Sequence, residues 1–399
     1  MNTNNAKVLY IASGRSFFSN DLPRKIAGVI NSFRKVGATI KVIAGGDLFE
    51  TRPSNQGFTA GHHKRLASYP IASFLYHSIS ELRDISHDRR LRKMIEDTVL
   101  DFRPDLIWER SSRLHIAGLQ VAQEHGLPFI LEWKDNLLSL YGFSMFKIVG
   151  RLVERRKIGG AYSIVVESSK LAAMLSQEWC IDRSRFVVAI NAVDTEQFYP
   201  KPAEKLHVRK VMGLPLNAFV IVYVGNFAWY HNVNYLVEAA RYITVHDLVP
   251  NALFLMVGDG PGRAASESLI TQYSLEGKFR FIGRRPQSEI PDILNACDVA
   301  VLPDSLDIVC PIKVQEYMAM ELPVILPAYE ANAEVVSDKH TGIFFRPQDP
   351  IDLAEKICYI AMHPTFAARI GANARQAVHD RFTWEKTWGA ALRTILGRL

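Results

Sequence analysis

The sequence predicts an α/β protein built from two doubly wound domains, each a parallel sheet covered by helices on both faces. Short β-branched runs alternate with helix-length segments along the whole chain, which is typical of α/β folds. Nearly all of these runs are continuously apolar, as expected for strands buried on both faces. The length of 399 residues allows two to three domains at roughly 150 residues each.

Twelve candidate strands fall into two sets of six. The first set is residues 8–12, 40–44, 106–109, 129–133, 163–167 and 186–190; the second is 220–225, 253–258, 280–283, 299–303, 324–327 and 342–345. A polar stretch with two prolines separates the sets and reads as a linker near 199–206. We therefore predict an N-terminal domain over 1–198, a C-terminal domain over 207–381, and a final helix over 382–399 that crosses back to the first domain.

The predicted architecture also indicates where a ligand binds. Sheets of this kind hold ligands beyond the carboxyl ends of their strands. With two such domains, we expect them to face each other across a cleft that forms the site.

The composition, with 48% apolar and 22% charged residues, is that of a globular protein and excludes a disordered or fibrous chain. The four cysteines form no CxxC pair, which predicts reduced thiols rather than a disulfide framework or a zinc site. No run reaches the roughly 20 apolar residues of a membrane span. We therefore expect a cytoplasmic protein without a bound metal.

Positive charge is concentrated in the first half of the chain. Residues 1–200 hold 27 basic and 20 acidic side chains, whereas residues 201–399 hold 20 and 21. Two basic clusters, 83–93 and 147–157, are either solvated helix faces or a surface for an anionic acceptor or lipid. The second interpretation allows peripheral contact with the inner face of a membrane. No basic repeat with interleaved aromatics appears, so we expect no nucleic-acid partner.

The strand at 219–225 ends in a motif suited to phosphate. Gly225 lets the backbone approach a ligand closely, and Asn226 and His231 lead into a predicted helix over 233–242. A helix N-terminus attracts anions through its unpaired N–H groups. The alternative is that His231 only marks the start of this helix.

A second glycine-rich turn, GDGPG at 258–262, follows the next strand. Its spacing superficially matches a dinucleotide-binding loop, but Pro261 and the missing third glycine argue against a nicotinamide site. The alternative is a tight turn between strand and helix.

The strongest signal is the stretch from 298 to 336, where a strand and a loop precede a helix that opens at Pro311. Lys313 and Glu316 are three residues apart and share a face of that helix. They are either a surface ion pair or a nucleotide site in which the lysine neutralises phosphate and the carboxylate binds two ribose hydroxyls. Together with the two glycine turns, they favour a nucleoside diphosphate.

The ordered motifs resemble those of family 4 glycosyltransferases of the GT-B fold, over nearly the whole chain. The similar segments are NAVDTEQFYP (191–200), 222–239, VGDGP (257–261), FIG (281–283), ACDVAVLP (296–303), PIKVQEYMA (311–319), TGIFF (341–345) and 347–354. In the first domain, WERS (108–111) and GLPFILE (126–132) resemble one subtype of the family.

This resemblance implies a retaining, metal-independent transfer of a sugar from a nucleotide sugar, with UDP favoured, to an acceptor hydroxyl. The acceptor would be a glycan, a lipid-linked intermediate or a small molecule. Fixed cations and helix dipoles would stabilise the departing diphosphate. The donor site implied comprises Gly14, Gly225, Asn226, His231, Gly258, Asp259, Arg284, Pro311, Ile312, Lys313 and Glu316, and the acceptor site Arg110 and Glu132.

The second domain departs from the family pattern at two places. The family carries two acids eight positions apart, but Ile308 stands eight residues before Glu316, which makes neighbouring Asp307 a candidate catalytic acid. The family's Arg and Lys on the first phosphate loop are replaced by Asn226 and His231. His231 would restore the charge only if a diphosphate partner protonated it.

The first domain departs as well. The histidine that many members carry at a strand end is replaced by Lys134 or Asp135, which join Asp307 and Glu316 as catalytic candidates. Only Gly14 remains of a glycine pair in the first loop, and Arg15 follows it. Two alternatives stay open: a GT-B epimerase or phosphorylase, and a scaffold that binds a nucleotide sugar without turnover.

Overall fold

The structure is a computed structural model that describes residues 5–48, 70–112, 114–134 and 146–399. The chain forms two compact units. The first unit is Met1–Val166, Ala172–Ala189 and Trp388–Leu399, and the second unit is Glu167–Leu171 and Ile190–Thr387. The division after Ala189 precedes the polar 199–206 stretch, because residues 190–198 already pack with the second unit. The amide of Val193, for example, donates to the carbonyl of Phe382 at 3.1 Å.

The first unit is built on one six-stranded parallel sheet with the order β2-β1-β3-β4-β5-β6. Its strands are β1 (Lys7–Ala12), β2 (Thr39–Ala44), β3 (Leu106–Arg110), β4 (Phe129–Glu132), β5 (Ser163–Val166) and β6 (Phe186–Val188). Its helices are α1 (Arg24–Lys35), α2 (Pro70–Phe102), α3 (Ala117–Glu124), α4 (Lys147–Gly160) and α5 (Ser169–Trp179), whose first residues group with the second unit.

The last helix of the chain belongs to the first unit. It spans Ala390–Arg398, which is α14 below, and therefore begins later than residue 382. The Tyr162 hydroxyl donates to the carbonyl of Arg398, and the Arg398 guanidinium donates to the carbonyl of Ser184 at 3.0 Å. The Lys25 ammonium also lies 5.0 Å from the centre of the Trp388 ring.

The second unit has its own six-stranded parallel sheet with the order β12-β11-β10-β7-β8-β9. Its strands are β7 (Phe219–Val224), β8 (Ala252–Val257), β9 (Phe279–Gly283), β10 (Val299–Val301), β11 (Val324–Pro327) and β12 (Ile343–Phe345). Its helices are α6 (Lys205–Val211), α7 (Asn234–Val245), α8 (Arg263–Gln272), α9 (Ile290–Asn295), α10 (Ile312–Ala319), α11 (Glu330–Ala333), α12 (Pro350–Met362) and α13 (Pro364–Arg381).

Both sheets are covered on both faces, as the apolar runs predict. Alternate residues of β7 enter two different cores: Val220 and Val222 pack into one, and Ile221 and Tyr223 pack into the other. Since successive side chains of a strand point to opposite faces, helices must cover both. The two-sheet α/β prediction is confirmed, and each of the twelve predicted strands is present with ends shifted by at most a few residues.

The strand orders place a switch point in each sheet. In the first unit, the chain leaves β1 towards β2 on one side and continues through β3 on the other. In the second unit, the same reversal lies between β7 and β10. Ligands of open α/β sheets bind beyond the carboxyl ends of the strands at this point, so these two places locate the candidate sites.

Candidate functional site

The switch point of the second unit is formed by the end of β7 and the start of α10. Gly225 follows β7 with φ of +154°, and a Cβ on it would lie 2.3 Å from Nζ of Lys313. The Tyr317 hydroxyl, from α10, accepts a hydrogen bond from the amide of Val224 at 2.8 Å. Glycine fits position 225 because this φ is strained for other residues and because a side chain there would have to displace the lysine head group.

The Lys313 ammonium is held by aromatic and neutral groups. Its Nζ lies 3.4 Å from the Tyr223 hydroxyl and 4.6 Å from the centre of the Tyr223 ring. Nζ also lies 3.2 Å from Nε2 of His231. The side chain is 9% exposed. A cation enclosed in this way acts strongly on an anion that reaches it, since little water screens it.

His231 is a neutral acceptor in this cluster. Its Nδ1 lies 3.2 Å from the carbonyl oxygen of Asp304, which can only accept, so Nδ1 carries the proton. Nε2 then offers its lone pair to Lys313. Burial, followed by the Lys313 charge, lowers the pKa of His231 to about 3. His231 is therefore neutral, and it orients the Lys313 ammonium of α10 through this hydrogen bond.

The GDGPG turn supports the first glycine loop through direct backbone contact. A Cβ on Gly258, where φ is +127°, would lie 1.9 Å from the carbonyl oxygen of Gly225. A Cβ on Gly260 would lie 2.0 Å from Oδ1 of Asn226. The Asp259 carboxylate accepts from the amide of Gly260 at 2.8 Å, so it stabilises its own turn. These glycines are needed for close packing of two loops.

Glu316 lies one turn into α10 and is 3% exposed. Its Oε1 accepts a hydrogen bond from Nε2 of Gln287 at 3.0 Å. Because Lys313 and Glu316 are both buried, the surface ion-pair interpretation is wrong. Pro311 immediately precedes α10 and Ile312 begins it, as predicted to within a residue, whereas Arg284 is exposed after β9.

Asp307, the candidate catalytic acid, is bound to groups that the sequence did not indicate. Its carboxylate forms an ion pair with Lys170 and accepts from the amide of Glu330 at 3.1 Å. Lys170 also lies 3.3 Å from the Glu330 carboxylate. The carbonyl of Ile308 accepts from the Ser168 hydroxyl. The loop that contains Asp307 and Ile308 is thus bonded to Ser168 and Lys170. The catalytic role of Asp307 stays a prediction.

In the first unit, Arg110 and Glu132 form a buried ion pair. The Glu132 carboxylate also accepts from the Tyr10 hydroxyl at 2.8 Å and from Nε1 of Trp108 at 3.1 Å. Burial and the Glu132 charge raise the pKa of Tyr10 above its ordinary value. Glu132 is 1% exposed, so in this structure it links three strands, and its acceptor-binding role stays a prediction.

The remaining first-unit candidates have different surroundings. Lys134 is exposed, and Asp135 lies outside the described residues. The carbonyl of Gly14 accepts from the amide of Phe17 at 3.0 Å, which closes a tight turn after β1. The Arg15 guanidinium pairs with Asp84 at 2.6 Å, so its charge is partly neutralised there.

Two features bear on metals and membranes. Among the residues that the structure describes, no three His, Cys, Asp or Glu side chains come together as a metal site. None of the helices searched in that same part of the chain combines the length and the apolar character of a membrane span.

Comparison with known proteins agrees with this geometry. Residues 205–377 match the family described as Glycosyl transferases group 1. The chain is 26% identical to UDP-Gal:alpha-D-GlcNAc-diphosphoundecaprenol alpha-1,3-galactosyltransferase from Escherichia coli, over 69% of this chain and 70% of that protein. It is 30% identical to 2-deoxystreptamine glucosyltransferase from Streptomyces kanamyceticus, over 47% of this chain and 50% of that protein.

Solved structures share the whole fold at low identity. Anabaena HepE in complex with UDP aligns over 99% of this chain and 100% of its own, with a TM-score of 0.71 and 16% identity. Sucrose-phosphate synthase from Thermosynechococcus elongatus aligns over 99% and 100%, with a TM-score of 0.72 and 18% identity. The second unit therefore matches the group 1 glycosyltransferases over residues 205–377, and the chain has the two-domain α/β architecture of these solved structures, the GT-B fold.

Proposed function

We propose that the protein is a retaining glycosyltransferase that binds a UDP-sugar through its second unit and transfers the sugar to an acceptor hydroxyl. The observation that carries this proposal is the buried Lys313 ammonium, which lies against Gly225 at the end of β7. A fixed cation beside a backbone without side chains is suited to a diphosphate.

The start of α10 supplies further attraction for phosphate. The first N–H groups of a helix have no partner within the helix, and its dipole makes this end positive. Pro311 precedes α10 in an extended conformation, so the amides of Ile312 and Lys313 begin the helix. Lys313 therefore adds its charge where the helix already favours an anion.

Glu316 is suited to the ribose of the nucleotide. An ionised carboxylate only accepts hydrogen bonds, and its two oxygens can take one from each of two neighbouring hydroxyl groups. The hydrogen bond from Gln287 holds the Glu316 carboxylate in place. The UDP complex of HepE and the UDP-Gal name of the Escherichia coli relative favour uridine as the base.

The chemistry we assign to these groups is stabilisation of the departing UDP. As the bond between sugar and diphosphate breaks, negative charge grows on the diphosphate oxygens. Lys313 and the positive end of α10 are already in place to stabilise it, so no metal ion is needed in this proposal. His231 accepts a hydrogen bond from Lys313 and thereby keeps the ammonium at its position.

The acceptor we propose is a lipid-linked glycan intermediate at an anionic membrane surface, reached from the cytoplasmic side. Helix α4 exposes Ile148 and Leu152 beside Arg151, Arg155 and Arg156. Apolar and basic side chains exposed together fit the interface of an anionic bilayer. The Escherichia coli relative, whose name includes a diphosphoundecaprenol acceptor, supports this class.

A panel of UDP-, GDP- and dTDP-sugars tests the proposal. We expect the UDP-sugars alone to raise the melting temperature, because a ligand that binds the native state stabilises it. Sugar transfer, or slow hydrolysis without an acceptor, would then identify the donor. Binding without turnover across the panel would instead support the scaffold alternative.

A further inference from the structure

A groove lies between helix α2 and strand β2 in the first unit. The strand order of this sheet begins with β2, so this strand forms an edge of the sheet. The groove has a volume of about 740 Å³, and small-molecule sites in proteins measure roughly 300–1,000 Å³. Its walls are one face of α2 between Arg89 and Asp101, together with Lys41 of β2 and Leu48, which follows β2. It is called the α2 groove below.

Four basic side chains line the α2 groove, and they are Lys41, Arg89, Arg90 and Lys93. Within the part of the chain that the structure describes, none of these side chains forms an ion pair or a hydrogen bond. Arg92 on the same helix differs, because it pairs with the Glu124 carboxylate at 2.7 Å. Unpaired cations around one cavity attract an anion, and a guanidinium group can donate two parallel hydrogen bonds to a phosphate. The basic end of the groove therefore favours a phosphate group.

The other end of the α2 groove carries groups that suit a sugar. Asp97 and Asp101 line it one and two turns of α2 beyond Lys93. Among the described residues, neither carboxylate has an ion-pair or hydrogen-bond partner, so their oxygens are available to accept from ligand hydroxyl groups. Leu48 and Met94 are half-buried and add apolar surface, against which the C–H groups of a sugar ring can pack.

The order of charges along α2 keeps these two kinds of group apart. Arg89 precedes Asp97 by about two turns of the helix, which is roughly 12 Å along its axis. A phosphate bound at the basic end is therefore distant from the carboxylates, whereas a sugar attached to that phosphate extends towards them. Inorganic phosphate would fill only part of the cavity and leave the carboxylates without a partner.

We propose that the α2 groove is a binding site for a phosphorylated sugar or polyol. The four basic side chains hold the phosphate, and the Asp97 and Asp101 carboxylates accept hydrogen bonds from the hydroxyl groups. The groove belongs to the first unit and shares no residue with the donor site of the second unit. The inference therefore goes beyond the proposed function and does not depend on it.

The carboxylates restrict what the α2 groove accepts. A broad anionic surface would bring negative charge against Asp97 and Asp101 as well as against the cations, and like charges repel each other. A neutral sugar would leave the cations without a partner. A ligand that combines one phosphate with several hydroxyl groups is matched at both ends of the groove.

Calorimetric titration of the full chain tests the site with glucose 1-phosphate, glucose 6-phosphate and N-acetylglucosamine 1-phosphate, and with inorganic phosphate and glucose as the separate halves. We expect at least one sugar phosphate to bind more tightly than either half, because it alone contacts both ends of the groove. Arg89→Ala with Lys93→Ala should weaken that sugar phosphate about tenfold. Arg83→Ala, at an exposed position of α2 outside the groove, is the matched control and should change nothing.

Removal of a carboxylate gives a result that a general loss of folding would not give. Asp97→Ala should weaken the sugar phosphate about tenfold, because contacts to hydroxyl groups are lost, while inorganic phosphate binds at least as tightly as before. Lys313→Ala should bind the sugar phosphate like the wild type, which separates the α2 groove from the donor site. UDP binding, measured on the same samples, reports on the proposed function separately.

Vesicles distinguish a lipid head group from a free sugar phosphate as the source of the ligand. A preference for phosphatidylinositol over phosphatidylglycerol at equal charge, removed by Arg89→Ala with Lys93→Ala, would assign the phosphorylated polyol to a lipid. The inference is overturned if no phosphorylated sugar or polyol binds in either form, or if inorganic phosphate binds as tightly as the sugar phosphates. Unchanged affinity in Arg89→Ala with Lys93→Ala would equally overturn it.

Discussion

The ammonium of Lys313 lies 3.2 Å from Nε2 of His231, and the imidazole is the acceptor of that hydrogen bond. The carbonyl of Asp304 fixes this tautomer from the other side of the ring. His231 thus supports the Lys313 ammonium, which belongs to α10, at the end of β7.

The first prediction concerns this support. His231→Leu removes the acceptor for Lys313, so the ammonium loses its fixed position, and we expect the affinity for UDP to fall about tenfold. The affinity for uridine should stay unchanged, because the nucleoside lacks the diphosphate. His231→Gln, whose amide oxygen can still accept, is the matched control. Equal losses of UDP and uridine would show that His231 does not act on phosphate.

The second prediction concerns the ribose. Glu316→Gln keeps an oxygen that accepts from Gln287 but removes the charge, so we expect UDP binding to weaken by about tenfold. The wild type should bind UDP more tightly than 2′-deoxy-UDP, and the variant should bind both alike. Calorimetric titration with the two nucleotides measures this. If the variant still prefers UDP over 2′-deoxy-UDP by the wild-type factor, Glu316 does not contact the ribose 2′-hydroxyl.

The third prediction is a loss of stability in mild acid. His115 and His231 have pKa values of about 3 in the folded chain, below the ordinary value of 6.5. Between these values the unfolded chain binds protons that the folded chain does not. Stability should therefore fall as the pH drops from about 6.5 towards 3, by up to about 1.4 kcal/mol per pH unit for each histidine. Urea unfolding at several pH values measures the slope.

A variant isolates one of these protons. His115→Gln should remove close to one proton from the uptake on unfolding. The slope of unfolding free energy against pH should therefore fall by up to about 1.4 kcal/mol per pH unit in the same window. His340→Gln, at an exposed position, is the control and should leave the slope unchanged. An unaltered slope in His115→Gln would mean that this imidazole is not held neutral by the fold.

The fourth prediction concerns helix α4. The protein should float with vesicles that contain phosphatidylglycerol and not with vesicles of phosphatidylcholine alone, and added salt should release it. Leu152→Asp with Arg155→Glu should abolish flotation, since it removes both the apolar and the basic contribution. Lys210→Glu, on exposed α6 of the second unit, is the control. Flotation of the double variant at the wild-type level would show that α4 is not the membrane-binding surface.

The sheets were predictable from sequence because each strand is a short, continuously apolar run. Local patterns of this kind also located Gly225 and the start of α10. Contacts between residues that are distant in the sequence have no local sequence pattern that predicts them. The ion pair of Lys170 with Asp307 joins residues 137 positions apart, and nothing near either residue indicates the other.

The buried contact between His87 and His115 was missed for a related reason. His87 lies within a basic cluster that reads as a solvated helix face, and His115 lies in a short segment without a recognisable motif. Their burial depends on how α2 packs against β2 and α3, which is a property of the fold. The burial of Lys313 could not be predicted from the sequence either, because an (i, i+3) Lys–Glu pair is common on helix surfaces.

The most direct measurement is a calorimetric titration of the wild type and Lys313→Ala with UDP and with uridine, in the presence of EDTA. We predict that the wild type binds one UDP without metal, and that Lys313→Ala lowers the affinity for UDP about a hundredfold while uridine binds as before. Lys210→Ala should match the wild type. No binding of UDP to the wild type in EDTA, or equal losses of UDP and uridine in Lys313→Ala, would contradict the account.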